Sequence, residues 1–169
     1  MKPTLLSPKD KQRYLDAGYW TRDTQTARFS AYAKETPNRI ACRDDTESFT
    51  WAELDAVTDR LAANLIALGL ERDSRALVRM PSSCREMILR LALKKAGIIG
   101  VFTPMQWRRR ELDYVREHIN PRVLIMSLQG LDEDERQWAD NISRIRRVDL
   151  DTPHRAGWLG WSNLTDETP

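Results

Sequence analysis

The stretch SFTWAELDAVTDRLAANLIALGLERDSRALVRMPSS, residues 48–83, decides the fold. Thr50 and Glu53 have the spacing of a capping box, in which hydroxyl and carboxylate satisfy each other's free backbone amides. Behind it Leu54, Val57, Leu61, Leu65 and Leu68 recur at steps of three and four, leaving Asp55, Asp59, Arg60 and Asn64 off the stripe. Gly69 is the C-terminal stop. Residues 74–80 then read as a strand ended by Pro81, and Ser83 with Glu86 repeats the capping-box spacing. Helix, strand and helix follow one another with short connections, as in a parallel α/β layer.

Towards the C-terminus the same grammar continues. The second helix carries Met87, Ile88, Leu91, Ala92 and Lys95 on or near one side and ends at Gly97. Residues 98–103 are almost wholly apolar, which predicts a strand buried on both faces. Residues 108–118 form a third helix with Leu112, Val115 and Ile119 inward, broken by Asn120-Pro121, and 122–126 is another apolar strand. Residues 131–140 read as an acidic helical connector, and 145–150 as an outer strand. Towards the N-terminus, Thr24 caps a helix that stops before Pro37, and 39–43 with 48–50 form a small hairpin around Asp44-Asp45. The expected fold is α/β: an open, mainly parallel sheet with flanking helices and a small edge hairpin. Its expected parts are an arm (1–22), the α/β subdomain (23–150) and an irregular Trp- and Gly-containing tail (151–169).

At 169 residues, with 41% hydrophobic and 31% charged side chains, the chain is one globular domain able to form a core unaided. A net charge of +2 is no argument for nucleic acid. Two cysteines, Cys42 and Cys84, make neither a disulfide framework nor a metal set, so a reducing, cytoplasmic setting is expected. The start shows no signal-peptide pattern, and no apolar run is long enough to span a membrane.

The search for chemistry is mostly negative. His118 and His154 have no ligand partner at metal spacing, and His118 suits the last turn of a helix. No glycine-rich phosphate motif or nucleophile elbow is present, Gly97 and Gly100 being explained by helix termination and close packing. Ser82 and Ser83 stand where capping is their ordinary role. Cys84, at a helix start beside Arg85, has features that lower a thiol pKa, yet a quiet cysteine is the expected reading and a redox role the alternative. Arg108, Arg109 and Arg110 open a helix where the dipole disfavours cations, so Glu111, Asp113 or an acidic partner is expected to offset them. Arg144, Arg146 and Arg147 form a second basic group without the aromatic interleaving of single-strand binders. No catalytic, metal-ligating or cofactor-binding residue is assigned.

The segments GYW (18–20), ETPNRIA (35–41), residues 48–83, AGIIGVFTPM (96–105) and RRRELDYVREHINPRVLIM (108–126) together resemble the N-terminal part of acyl- and aryl-acid adenylate-forming enzymes. The nearest flavour is that of 2,3-dihydroxybenzoate-AMP ligases and the stand-alone adenylation domains of siderophore and nonribosomal peptide pathways. The resemblance runs from Gly18 to about Ser127 and identifies a family better than a substrate. It implies that the family's phosphate-wrapping loop, adenine-ribose site, acyl pocket and catalytic lysine all lie beyond the matched region, so none is carried onto this sequence.

The resemblance thus implies a fragment that works by association. It would complete or regulate a separate adenylating chain, as a homodimer or heteromer. The alternatives are a catalytically dead scaffold remnant, a piece of a full-length aryl-acid-AMP ligase, or a weak nucleic-acid-binding module. The candidate interface is Trp158 and Trp161 of the GWLGW segment, with Arg108, Arg109 and Arg110 as a polar rim, the alternative being that both rings fold back over the acidic connector and the last strand. Tyr19 and Trp20 of the arm either pack back on the body or meet a partner.

Overall fold

A computed structural model describes residues 6–152 and 154–166. Ser7 caps α1 (Pro8–Asp16) and Thr24 caps α2 (Gln25–Glu35), each hydroxyl accepting a backbone N–H of the first turn. Strands β1 (Ile40–Arg43) and β2 (Ser48–Thr50) pair as a separate antiparallel ribbon. Asp44 organises its turn: Oδ1 accepts N–H bonds from Thr46 and Glu47 at 2.8 Å, while Oδ2 accepts the Cys84 N–H at 2.8 Å. One carboxylate therefore closes the hairpin and fastens it to the start of the helix at Cys84.

Helix α3 (Trp51–Ala67) has both halves of the Thr50–Glu53 capping box, and its stripe of Leu54, Val57, Leu61 and Leu65 is buried. Strand β3 (Arg75–Arg79) leads to α4 (Cys84–Lys95) and then β4 (Ile99–Thr103). Ser83 caps α4, but Glu86 turns away to Arg90, so only half of the second box forms. Gly97 takes φ +72° at the end of α4, and a Cβ on Gly100 would stand 2.7 Å from Phe102 and 2.8 Å from Leu93. Termination and close packing account for both glycines. Lys95 of α4 reaches Asp55 and Asp59 of α3, each at 2.7 Å, tying the two helices.

Helix α5 (Arg109–Ile119) ends at Asn120, whose φ of 46° is left-handed, before β5 (Val123–Met126). Helix α6 (Glu133–Asn141) comes next, and then β6 (Arg146–Asp149), β7 (His154–Arg155), β8 (Trp158–Gly160) and α7 (Trp161–Thr165). The sheet order is β4-β3-β5-β6-β8-β7, parallel except for the antiparallel β7–β8 pair. Alternation along the strands feeds two cores. Ala76, Val78, Val123 and Ile125 face α3 and α4, while Leu77, Leu124 and Met126 face Leu112 of α5 and Ala139 of α6.

Four expectations are corrected. Strand β4 is not buried on both faces; it is an edge strand with Gly100 exposed. Strand β6 is not outermost, because β8 pairs beyond it. The segment expected to be irregular, 151–169, instead supplies β7, β8 and α7 over its described residues. Asn64, expected off the apolar stripe, is buried and donates from Nδ2 to the Leu164 carbonyl at 2.8 Å, beside Arg60 Nε bound to the Thr165 carbonyl at 2.9 Å. The reason is shared: α7 returns over α3 and needs its terminal carbonyls satisfied.

The Asp44 hydrogen bonds hold its carboxyl well below the usual carboxylate range. A depressed folded pKa adds stability above the unfolded value of about 4, and that stability is lost as pH falls through the folded one. An Asp44→Asn variant is thus expected to melt below wild type at neutral pH, with the gap narrowing between about pH 4 and pH 2.5. Thermal melts across that range check it.

Candidate functional site

Ligands of open α/β sheets bind outside the carboxyl ends of the strands, where successive connections leave for opposite faces. Here that place is the end of β3, whose connection runs to α4 on one face while those of β4 and β5 run to α5 and α6 on the other. Arg79, the last residue of β3, occupies it. Its side chain is buried at 1% exposure. Nη1 donates to the carbonyls of Ser127 at 2.6 Å and Gln129 at 3.2 Å, and Nη2 donates to that of Met105 at 2.6 Å. The guanidinium thereby ties together the connections that follow β4 and β5. Burial draws the Arg79 pKa down, with the Arg108 charge adding to that effect.

The surrounding polar groups are held as well. Thr103 Oγ1 donates to the Val78 carbonyl at 2.9 Å. Asp151 accepts the Leu128 N–H at 2.6 Å and the Ser127 hydroxyl at 3.2 Å, and buried Asp149 accepts the N–H of Asp151 at 2.8 Å. These groups are hydrogen bonded within the chain, although Arg79 Nε has no partner. Sequence reasoning did not single out Arg79; its signal is one charged residue ending the otherwise apolar run ALVRM.

The arginines at the start of α5 find their offset within the chain. Glu111 accepts the Arg108 N–H at 3.1 Å. Glu135, buried at the start of α6, accepts the Arg109 N–H at 3.1 Å and pairs with Arg108 Nη1 at 3.3 Å. Arg108 also donates to the Gly130 carbonyl. Asp113 is engaged elsewhere, with Arg116 at 2.7 Å and the Trp138 indole at 3.2 Å. Arg108 is therefore a tie between α5 and α6 although its side chain stays 55% exposed, and Arg109 and Arg110 are exposed as well.

The structure separates the two tail tryptophans. Trp158 is buried in the α5–α6 core and donates its indole N–H to Asp140 at 2.6 Å. Trp161 lies half-buried on the α3–α4 face. Strand β8 turns alternate residues to opposite sides, so spacing along GWLGW did not translate into one surface. Trp161 lines a cleft of about 530 Å³ with Phe49, Val57, Arg60, Arg85 and Ile88. Tyr19, 78% exposed, and Trp20, 42% exposed, stack around Tyr14 of α1, with centroids 6.5 Å and 5.1 Å away. They cover their own helix and do not join the tail.

Cys84 is the quiet cysteine expected of it. Burial pushes the Cys84 thiol up to about 12, assisted by Cys42 and Asp44 nearby, despite the helix start. His118 lies in the last turn of α5 with its ring 6.0 Å from that of Tyr114. Among the described residues no cluster of three or more metal-ligating side chains occurs, and no helix is long and apolar enough to cross a membrane. The His154 side chain lies outside the described structure.

Trp158→Ala should cost about 3 kcal/mol or more, because it empties a core site and strips Asp140 of a donor. Trp161→Ala should cost clearly less. Urea unfolding of the two variants checks the order.

Comparison with known proteins gives this architecture a family. The family model for AMP-binding enzymes matches residues 29–168. The chain is 36% identical over 121 residues to pseudomonine synthase PmsE of Pseudomonas entomophila, covering 71% of this chain and 20% of that one. It is 34% identical over 106 residues to the salicyl-AMP ligase / salicyl-S-ArCP synthetase of Mycobacterium tuberculosis, covering 60% and 19%. The apo structure of Mycobacterium smegmatis MbtA superposes with a TM-score of 0.85 at 26% identity, over 98% of this chain and 31% of that one. The chain thus spans about a fifth of the length of these curated relatives. By family model, sequence and fold together, it belongs to the AMP-binding, adenylate-forming enzyme family.

Proposed function

We propose that this chain is a scaffold portion of an acid-adenylating fold and acts by associating with polypeptide that carries the nucleotide- and acid-binding remainder. The relatives named above point to aryl-acid activation in siderophore or nonribosomal peptide synthesis as its setting. The observation that carries the reading is the half-buried Trp161, which lines a cleft with the apolar side chains of Phe49, Val57 and Ile88. The state of the carboxyl edge supports it. The position where such sheets receive ligands is taken by Arg79, and the groups around it are already hydrogen bonded. Stabilising a transferring phosphoryl or adenylyl group needs donors aimed at developing charge, and the Arg79 Nη donors at that edge are instead spent on the chain's own carbonyls.

The cleft beside Trp161 is the docking surface we assign to the partner. It joins apolar side chains, Phe49, Val57 and Ile88, to Arg60 and Arg85 at its margin. Arg85 is held by Glu47 at 3.0 Å, which keeps that margin ordered. A half-buried tryptophan in such a setting is a typical anchor for a protein partner.

The test pairs the chain with a polypeptide spanning the part of the mycobacterial MbtA chain beyond the 31% that this chain covers. Acid-dependent exchange of pyrophosphate into ATP, run with a panel of aryl acids, should stay at background for this chain alone and appear for the mixture. Sedimentation should show a complex burying more than roughly 1,000 Å². Trp161→Ala should weaken that complex about tenfold or more while the chain stays folded. Exchange by the chain alone that a point substitution in it abolishes would contradict the proposal, as would a persistent monomer in the mixture.

A further inference from the structure

The amino-terminal edge of the sheet, opposite Arg79, carries a different feature. Arg122 precedes β5, and Arg146 opens β6 in register with Val123, its N–H donating to the Arg122 carbonyl at 3.0 Å. Arg144, at φ 59°, forms the turn before β6. These three arginines line one cleft of about 390 Å³ with Leu68, Leu70 and Ile145. All three are exposed, and among the described residues no carboxylate pairs with them and no acceptor takes their side-chain N–H groups. Glu71 and Asp73 lie in the adjoining loop but do not line the cleft. Arg147 shows the contrast, since it is spent on the carbonyls of Ala139 and Ile142 at the end of α6.

Three exposed cations around one concavity raise the local positive potential, which draws anions to it. The C-terminus of α3 reaches the cleft at Leu68 and offers only about half a negative charge. Guanidinium groups present planar forks of donors that match phosphate oxygens two at a time. The volume falls at the small end of the range for small-molecule sites, about 300–1,000 Å³. Leu68, Leu70 and Ile145 give apolar wall for a compact organic body. No aromatic ring lines the cleft, so the stacking platform of a single-strand binder is missing. We infer that this cleft is a binding site for a small molecule bearing a di- or triphosphate group, distinct from the carboxyl edge of the sheet and independent of the proposed partner.

The experiment is calorimetric titration of the full chain with tripolyphosphate and pyrophosphate at low ionic strength, with sulfate as the reference anion. Tripolyphosphate should bind at submillimolar concentration and more tightly than sulfate. The triple variant R122A/R144A/R146A should bind at least tenfold more weakly, and R109A/R110A should bind like wild type. The variant R122K/R144K/R146K keeps the charge but loses the fork and should fall between; it carries the test should the alanine variant not fold. Equal binding by wild type and the alanine variant would overturn the inference. Indifference between tripolyphosphate and sulfate would mean an adventitious ion only. A single-stranded oligonucleotide binding a hundredfold more tightly than tripolyphosphate would replace the small-molecule site with a nucleic-acid groove.

Discussion

One buried cation holds the end of this sheet together. Arg79 lies where neighbouring strands send their chains to opposite faces, a point that parallel sheets leave open by construction. Its guanidinium answers the carbonyls of Met105, Ser127 and Gln129 from connections distant in sequence. A buried charge is tolerated only when its donors are largely used, and two of its nitrogens are, although Nε has no partner. Remove the guanidinium and three carbonyl oxygens lose their donor together.

The consequences spread along both faces. Fixing the connection after β5 places Asp132 and Glu135 at the start of α6, and Glu135 in turn receives the N-terminus of α5 through Arg109. A helix that opens on three arginines is thus stabilised by a neighbouring helix rather than by its own sequence. On the other face, Asp44 does the corresponding work, joining the hairpin to α4. Charged groups therefore set the relative positions of elements, while the alternating apolar residues of β3 and β5 supply the burial, about 1.5–3 kcal/mol for each large side chain.

Much of this was legible in the residues. Period and capping spacing gave α2, α3, α4 and α5, because each is amphipathic with a local stop signal. Parallel pairing came from apolar strands separated by helices. The position of a strand within the sheet was not legible: β4 is more apolar than β6, yet β4 is the edge and β6 lies inside, since neighbours are set by crossover direction and not by composition. The tail failed for a similar reason. Its strand β8 is short and flanked by glycine, and pairing with β6 and β7 orders it. Of the candidate interface, Trp158 is buried in the core and exposed Arg108 ties α5 to α6, which spacing alone does not reveal.

Family membership and the Arg79 clamp fit one account: an α/β sheet of the adenylate-forming family whose connections after β4 and β5 are tied by one buried side chain. Amide hydrogen exchange of wild type against Arg79→Met tests it most directly, the methionine filling similar space without donors. The account predicts exchange faster by about tenfold or more in residues 104–107 and 127–131, with α3 protected as before. Unchanged protection of those two segments, or a uniform loss across the whole chain, would contradict it.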